Sequence, residues 1–502
     1  MSHSRSSFIL LAAALLALAA CSREEGAEAG TTTEASDVSM GIPATTSSDD
    51  ARTHFMLGLH ALDMGRPNDA RPHFEQAVTA DPAFAYAYLQ LGFASNSVVD
   101  FKRNLDLASQ NAAGASEAEQ LAIEIVAKAF DDDAEGALAA AQRLVEVAPT
   151  SPRAWIILGD AQTDMGDVAG ARDSYRKATE AAPEFAPAFM SLGGSYLGEP
   201  LDLPAAQTAF QRAVDLEPEE AVPHDLLGDA HRAQGHLEPA AAEYGRTAEL
   251  DTTSGNGYQQ RGHVNTFLGN YDQARTDYDS AIAIEKGKNQ EAAFGVYRAL
   301  VSAYEGNPQA AITELEDLIG KIDAMGVPNA RGQKIFTYQT IVDIALHHEM
   351  LPEVEAAIAN LDALRAEQAE EIGTEVASRN ARAAAILGQG WLAARRGDYA
   401  DAAERANEYM TTRASSTDPD RDQPAHALLG FMSLEQGDHE AAIAHFEQAD
   451  PDDIYAGYYH ALALEGAGRS EEAKARFAKV GNNNFNSSGF ALVRKDALER
   501  AQ

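Results

Sequence analysis

Apolar residues recur three and four positions apart through most of the chain from residue 51 onward. Residues at i, i+3, i+4 and i+7 share one face of an α-helix, so this pattern predicts amphipathic helices. Short polar breaks separate successive helices, and a glycine in a break permits the positive φ that a helix C terminus often adopts. The sequence therefore predicts an all-α chain of helix pairs. The glycines in these breaks are Gly65, Gly166, Gly235, Gly269, Gly306, Gly397, Gly437 and Gly468.

A second set of glycines reveals an internal repeat. Gly159, Gly193, Gly228 and Gly262 are 34, 35 and 34 residues apart. A single helix pair cannot bury its own apolar stripe, so neighbouring pairs must stack on one another. The period therefore predicts a solenoid.

Residues 152–185 form the clearest repeat unit, PRAWIILGDAQTDMGDVAGARDSYRKATEAAPEF. Trp155, Leu158 and Gly159 follow the pattern W-x2-L-G, and Tyr175 and Pro183 hold later landmarks. The unit resembles the tetratricopeptide repeat. The resemblance implies a right-handed α-solenoid, here of about twelve helix pairs over roughly residues 51–487. The predicted pairs begin near Ala51, Ala85, Ala118, Pro152, Ala186, Ala221, Gly255, Ala292, Tyr338, Ala383, Gln423 and Ile454.

The spacing divides the array into two parts. Residues 51–288 form a regular array, whereas the interval between units stretches to 46, 45 and 40 residues after Ala292. Longer helices, or loops within 321–333 and 411–424, account for the difference. We therefore predict a divergent array over 289–487, followed by a capping helix over 488–502.

The first 20 residues have the pattern of a secretory signal. Residues 8–20 are 13 consecutive apolar residues, whereas a bilayer span needs about 20. Leu18-Ala19-Ala20-Cys21 resembles the bacterial lipobox. The resemblance implies cleavage before Cys21 and its lipidation with acyl chains such as palmitate; a structural thiol or a plain signal peptide is the alternative.

Lipidation would anchor the protein to a membrane without spanning it. Ser22 follows the cysteine, and in enterobacteria-like lipoproteins this resemblance favours the outer membrane, with the body facing the periplasm. Residues 21–50 are rich in Ser, Thr, Ala, Gly and Glu. They are predicted to form a disordered tether.

The chain is strongly acidic, with 77 Asp and Glu against 39 Lys and Arg and a net charge of −38. Nucleic-acid binding requires basic residues that neutralise phosphates, so the composition argues against a nucleic-acid partner. Basic peptides, basic protein surfaces and divalent cations stay open as partners. The alternative is that the charge serves solubility alone.

Short motifs do not indicate catalysis, a cofactor or a metal centre. GQGWLA at 388–393 matches G-x-G-x-x-A but has no preceding strand. His439 and His445 are six residues apart, and His347 and His348 are adjacent, so neither pair has the spacing of four that a zinc helix needs.

Two acidic turns, 131–133 and 418–424, are the remaining candidates for weak cation binding. Asp418, Asp420 and Asp422 alternate as in a calcium loop, but Gln423 and Leu429 hold the sixth and twelfth places. Solvated acidic turns are the simpler interpretation.

Binding of other proteins is the leading hypothesis. Resemblance to tetratricopeptide arrays implies that first helices line a concave surface that holds a peptide or helix. The residues that could grip a C-terminal carboxylate are scattered and out of phase, so a carboxylate clamp is doubtful. They are Arg153, His224, Gln259, Gln260, Arg261 and Arg298.

Tyrosines on first helices are candidate anchors for a partner, because tyrosine is favoured at interface hot spots. Packing between repeats is the alternative role for them. The alternative function is a ligand-binding or accessory subunit of an envelope enzyme or secretion complex, with a pocket within 286–424. The candidate tyrosines are Tyr88, Tyr258, Tyr297 and Tyr458.

Overall fold

A computed structural model describes residues 41–198 and 200–502. The predicted signal peptide, Cys21 and most of the predicted tether lie outside these residues. Within the described chain there are 25 α-helices, one 3₁₀ turn and no strand. None of the helices in the described part is long and apolar enough to cross a membrane.

The helices follow one another along the chain with short connections. They are α1 (Asp49–Asp63), α2 (Pro67–Ala80), α3 (Ala85–Phe93), α4 (Val98–Asn111), α5 (Glu117–Phe130), α6 (Ala134–Val147), α7 (Pro152–Asp164), α8 (Val168–Ala181), α9 (Ala186–Ser195), α10 (Leu203–Leu216), α11 (Ala221–Ala233), α12 (Leu237–Leu250), α13 (Asn256–Phe267), α14 (Tyr271–Ile284), α15 (Asn289–Tyr304), α16 (Pro308–Met325), α17 (Ala330–His347), α18 (Leu351–Ile372), α19 (Glu375–Arg395), α20 (Tyr399–Arg413), α21 (Gln423–Glu435), α22 (His439–Phe446), α23 (Ile454–Gly466), α24 (Ser470–Gly481) and α25 (Ser488–Arg500).

The predicted all-α fold of helix pairs is confirmed. Helices α1 to α24 form twelve successive pairs in the described chain, and α25 follows them. The odd-numbered helices α1 to α23, the first of each pair, are called first helices below. Most predicted starts lie within three residues of a first helix, but α17 and α19 begin at Ala330 and Glu375, eight residues before Tyr338 and Ala383. The difference arises because these helices extend by about two turns ahead of the repeat landmarks.

Each pair is held by a close approach of its two helices. At Gly159 in α7, an added Cβ would lie 2.5 Å from Cε1 of Tyr175 in α8. Glycine is therefore required here by contact with the ring of the second helix. The turn between the two helices contains Gly166 with φ +74°, a conformation that other residues adopt only at a cost. The same positive φ occurs at every break glycine named in the sequence analysis.

Contacts divide the chain into two compact units. Of the described residues, the N-terminal unit comprises 41–198, 200–234 and 238–257, and the C-terminal unit comprises 235–237 and 258–502. The division at 257 precedes the predicted change of spacing at 288. Both expected causes contribute: helices α15 to α19 contain 16 to 22 residues, and the connection 414–422 separates α20 from α21.

The folded body begins before residue 51, inside the segment predicted as tether. Ile42 is buried, and the hydroxyl of Thr46 donates to a carboxylate oxygen of Asp81 at 2.5 Å. The backbone N–H of Thr45 donates to Oε1 of Glu119 at 2.8 Å. Ser48 caps α1 by accepting from the N–H of Ala51. These polar side chains have partners on later helices, which composition alone could not reveal.

Candidate functional site

The candidate interaction surface of each unit is the side lined by its first helices. In both units, part of this side is contacted by the unit's own chain. The contacts are described first for the N-terminal unit and then for the C-terminal unit.

Residues at the end of α1 and in the turn that follows it contact later first helices of the N-terminal unit. The guanidinium of Arg153 in α7 donates to both carboxylate oxygens of Asp63, one of them at 2.7 Å. Arg66 donates to Glu220, just before α11, at 3.3 Å. Met64 is buried in an apolar cluster with Ala186 of α9. The first repeat is thereby tied to the fourth, fifth and sixth by two ion pairs and one apolar contact.

The last helix of the C-terminal unit lies against its first helices. Helix α25 packs on α24, as expected for a cap, and also on α15, α17 and α23. The fully buried ring of Phe490 lies 5.5 Å from the ring of Phe267 in α13 and 6.4 Å from Tyr304 in α15. The predicted capping helix therefore covers much more of the unit than the last repeat.

Polar contacts hold α25 and the loop that precedes it in position. Asn486 donates through Nδ2 to Nδ1 of His263 at 2.9 Å and accepts from the Tyr304 hydroxyl at 2.8 Å. Ser488 donates to Asp343 of α17 at 2.6 Å. The hydroxyl of Tyr458 donates to Asp496 at 2.5 Å. These bonds join α25 and its preceding loop to four first helices.

A cation lies buried beside this segment. Arg395 of α19 is 7% exposed, and its guanidinium carbon is 4.3 Å from the centre of the Phe431 ring. It donates to the hydroxyls of Tyr459 at 2.9 Å and Tyr455 at 3.3 Å. Cation–π and charge-assisted hydrogen bonds offset the loss of water around the guanidinium. The carboxylate of Glu349 is 4.0 Å away and exposed.

His347 joins the cluster formed by Arg395, Tyr455 and Tyr459, and its imidazole is neutral at neutral pH. His347 accepts from or donates to the hydroxyl of Tyr455 through Nδ1 at 3.0 Å. Burial, followed by the neighbouring His348 and the charge of Arg395, lowers the pKa of His347 to about 4. Burial also raises the pKa of the Tyr455 phenol well above its usual value. At neutral pH, Arg395 is thus the cationic member of the cluster.

A cavity of about 30 Å³ adjoins this cluster. Its walls include Trp391, Tyr455 and Tyr459, with Leu387 and Pro424 from the region where a pocket was predicted. Binding sites for small organic ligands usually have volumes of several hundred Å³, whereas one water needs about 10–15 Å³. The cavity admits water and is too small for a drug-sized ligand.

The four candidate tyrosines are divided between the two units, with Tyr88 in the N-terminal unit and the other three in the C-terminal unit. Tyr88 is half-buried in the N-terminal unit. Tyr258 is half-buried, with the Arg261 guanidinium 5.2 Å from its ring. Tyr297 packs 4.8 Å from His263, and Tyr458 is only 8% exposed under α25. Tyr88 and Tyr258 stay predictions as partner anchors, whereas Tyr297 and Tyr458 make packing contacts inside the C-terminal unit.

The scattered basic residues have partners within their own units. Arg261 donates to Asp277 at 2.8 Å, and Arg298 donates to Asp279 at 2.6 Å. Nδ1 of His224 is 2.7 Å from a carboxylate oxygen of Glu243. The two arginine charges are therefore already neutralised, which agrees with the doubt about a carboxylate clamp.

The acidic turn at 418–424 is organised by its own hydrogen bonds. Asp418 is buried, 3.4 Å from the Arg413 guanidinium, and accepts from the N–H of Asp420. No group of three or more His, Cys, Asp or Glu side chains among the described residues is arranged to hold a metal ion. Sequence reasoning missed the contacts of Asn486, Ser488 and Arg395, because they join helices far apart in the chain.

These observations define the chain as an α-solenoid of helix hairpins. Sequence models of the tetratricopeptide repeat match residues 55–95, 128–185 and 256–288. The chain therefore contains tetratricopeptide repeats in these three segments. No curated protein matches it.

Several solved structures are similar to parts of this chain. MamA is 24% identical, with 32% of this chain and 94% of MamA covered and a TM-score of 0.29. A thermophilic TPR protein from Thermus thermophilus, TTC0263, is 20% identical, with coverages of 34% and 91% and a TM-score of 0.29. YrrB, a TPR protein with an unusual peptide-binding site, is 19% identical, with coverages of 42% and 92% and a TM-score of 0.27. These similarities concern the fold alone.

Proposed function

We propose that this protein is a non-catalytic scaffold that holds protein partners at a bacterial envelope membrane. Its anchor is a lipidated Cys21, and its body faces the periplasm, most simply from the outer membrane. The observation that carries the proposal is the array of twelve helix pairs. Tetratricopeptide repeat folds present extended surfaces to other proteins, and the lipobox-like sequence supports the anchor.

The net negative charge of the chain favours partner proteins with basic surfaces. With 77 acidic and 39 basic residues, the protein repels other anionic molecules and attracts cationic segments over the range of ionic screening. Two arginines of the first helices, Arg261 and Arg298, are already paired with Asp277 and Asp279. A partner with surface lysines or arginines therefore suits this chain better than one with acidic side chains.

The partner is identified by crosslinking in intact cells. A photoreactive amino acid replaces Tyr88 or Tyr258, and mass spectrometry identifies what is attached; the matched control replaces the buried Tyr458. A small, reproducible set of envelope proteins captured from positions 88 or 258, and absent from position 458, is expected. Equal capture at all three positions, or none from a folded, anchored protein, would contradict the scaffold.

The anchor is tested separately. The variant Cys21→Ala is expected to remain uncleaved and to leave the membrane fraction in which the unaltered protein is found. Unchanged processing and membrane association of Cys21→Ala would overturn the lipoprotein proposal without touching the scaffold.

The second candidate function is an accessory subunit that binds a small ligand. It rests on the buried Arg395 and its two tyrosine hydroxyls next to a cavity. The cavity volume of about 30 Å³ admits only a water-sized molecule unless its lining side chains move. Thermal stabilisation by small carboxylates that is lost in Arg395→Gln would favour this function over the scaffold.

A further inference from the structure

Two histidine pairs occupy matching positions in the two units. His54 of α1 faces His73 of α2, and His426 of α21 faces His445 of α22. Both pairs belong to one sequence pattern, D-x3-H-x3-G-x14-H-F, which occurs at residues 50–74 and 422–446. The repeat therefore builds the same arrangement twice, from first and second helices of one pair.

The facing atoms are the same in both pairs. Nδ1 of His54 lies 3.3 Å from Nδ1 of His73, and the ring planes are inclined by 27°. Nδ1 of His426 lies 3.2 Å from Nδ1 of His445, with an inclination of 31°. At this separation, an Nδ1–H of one ring can donate to the Nδ1 lone pair of the other.

This separation fits a tetrahedral metal ion. Imidazole nitrogens bind Zn²⁺ at about 2.0–2.1 Å, so two of them at a tetrahedral angle are about 3.3–3.4 Å apart. Each ring would then carry its proton on Nε2, so binding requires a change of tautomer and no net loss of protons.

The four rings can be reached from solvent, and three of them have lowered pKa values. Burial and then the neighbouring ring lower the pKa of His73 and of His445 below the usual value. Burial likewise lowers the pKa of His426. The four side chains are half-buried, so a hydrated ion can approach them. Neutral imidazole is the form that binds metals.

A carboxylate stands one helical turn before the first histidine of each pair. Oδ1 of Asp50 is 3.9 Å from Nε2 of His54. Asp422 holds the equivalent position before His426, and its buried Oδ1 has no hydrogen-bond donor. A carboxylate near Nε2 favours the tautomer that leaves Nδ1 free for a metal, as in many metal sites.

We propose that each histidine pair binds one Zn²⁺, or another late first-row divalent ion, through its two Nδ1 atoms, with water completing the coordination. The proposal is independent of the proposed scaffold function. Two protein ligands hold a metal less firmly than the four of a structural zinc site. These sites therefore exchange metal with the surroundings, and the acidic surface raises the local concentration of cations.

Calorimetric titration with Zn²⁺ tests the proposal on the full chain prepared without a histidine tag. Two ions per chain are expected. His73→Gln and His445→Gln should each reduce the number to one, and the double variant should bind none. His224→Gln is the matched control, because His224 occupies the same place in its repeat but its Nδ1 faces Glu243 at 2.7 Å, too close for two ligands of one ion.

The control variant His224→Gln should still bind two Zn²⁺ ions per chain. Circular dichroism checks the fold of each variant; where one does not fold, His54→Gln and His426→Gln remove the other ligand of each pair. Binding of two ions by the double variant, or no binding by the unaltered chain, would overturn the proposal.

Discussion

The two units cover part of their first-helix side with different chemistry. In the N-terminal unit, the main contacts are the ion pairs of Asp63 with Arg153 and of Arg66 with Glu220. In the C-terminal unit, a whole helix is inserted, and Phe490 is fully buried between aromatic rings. The comparison shows that the first-helix side of a repeat array can be covered either by polar contacts from one turn or by burial of an additional helix.

Both units contain buried apolar side chains that join neighbouring repeats. One apolar cluster of the C-terminal unit runs from Ala292 to Ala497 and includes long-helix residues such as Ile322 and Leu361. In the N-terminal unit, Ala206, Phe210, Val214, Leu227 and Ala230 form one such cluster, and Phe55 contacts Phe74, Phe84 and Tyr86. The longer helices of the C-terminal unit contribute large side chains to a cluster that spans many of its repeats.

The largest effect is expected from Phe490→Ala. Removing a fully buried phenylalanine leaves a cavity and costs about 3–5 kcal/mol of unfolding free energy. Urea denaturation, followed by the fluorescence of Trp391 in a Trp155→Phe background, measures the C-terminal unit. Leu492→Ala, a half-buried position of α25, is the control and should cost clearly less. Equal losses would mean that Phe490 does not anchor α25.

A smaller loss is expected from adding a methyl group where helices cross. In Gly159→Ala the new Cβ would lie 2.5 Å from Tyr175, whereas in Gly262→Ala of the C-terminal unit it would lie 3.0 Å from Tyr278. Overpacking of this kind costs about 1–3 kcal/mol, so Gly159→Ala should be the worse of the two. Gly194→Ala meets no atom within 4 Å and serves as the control. Thermal unfolding of the three variants gives the ranking.

In the N-terminal unit, the ion pair of Arg153 with Asp63 is expected to contribute less to the unfolding free energy than the burial of Phe490 does in the C-terminal unit. Arg153→Gln leaves the carboxylate of Asp63, which is 13% exposed, without its charged donor. A loss of about 1–2 kcal/mol is expected for the charge-assisted bonds. A double-mutant cycle with Asp63→Asn isolates the coupling of the pair. Additive single-variant losses would show that the contact contributes no coupling.

Acidification should weaken the C-terminal unit. Burial lowers the pKa of His347 to about 4 in the folded chain, whereas the unfolded chain keeps the ordinary value near 6.5. The unfolded state therefore binds a proton first, and stability falls as the pH drops from about 6.5 to 4. Denaturation of His347→Gln followed at Trp391 should show a weaker decrease over this range; an unchanged profile would contradict the assignment.

The N-terminal unit contains a group with the opposite dependence. Burial raises the pKa of Asp160 to about 6, although the Tyr175 hydroxyl donates to it at 2.7 Å. The folded state then binds the proton more tightly, so this group lowers stability as the pH rises from about 4 to 6. Asp160→Asn keeps an acceptor for Tyr175 and should remove that decline. Trp155 fluorescence in a Trp391→Phe background measures it, and a decline as steep as in the unaltered chain would rule out Asp160 as its source.

Much of the fold was predictable because its signals are local. Gly159 and Gly166 were placed correctly at a helix crossing and in a turn, since their spacing repeats along the chain. The starts of α17 and α19 were misplaced because the landmarks at Tyr338 and Ala383 lie two turns inside longer helices. Helix length depends on packing against neighbours, which one repeat does not contain.

The sequence predicted only that the candidate site lies on the side of the array formed by the first helices. Tyr297 and Tyr458 follow the helical period as exposed anchors would, yet they pack on His263 and under α25. A groove residue and a packing residue have the same sequence spacing. The pairing of His426 with His445 was equally hidden, because the two residues lie on different helices 19 positions apart.

The sequence by itself determined the helix pairs, their number and their turns, because the 34-residue period and the glycines act within single repeats. Only the tertiary structure decided that the segment 41–48 belongs to the folded body, that α25 covers the first helices, and that paired histidines face each other. These features join residues that lie on different helices, many of them in distant repeats. Their energy comes from burial and polar contacts that exist only after the helices have stacked.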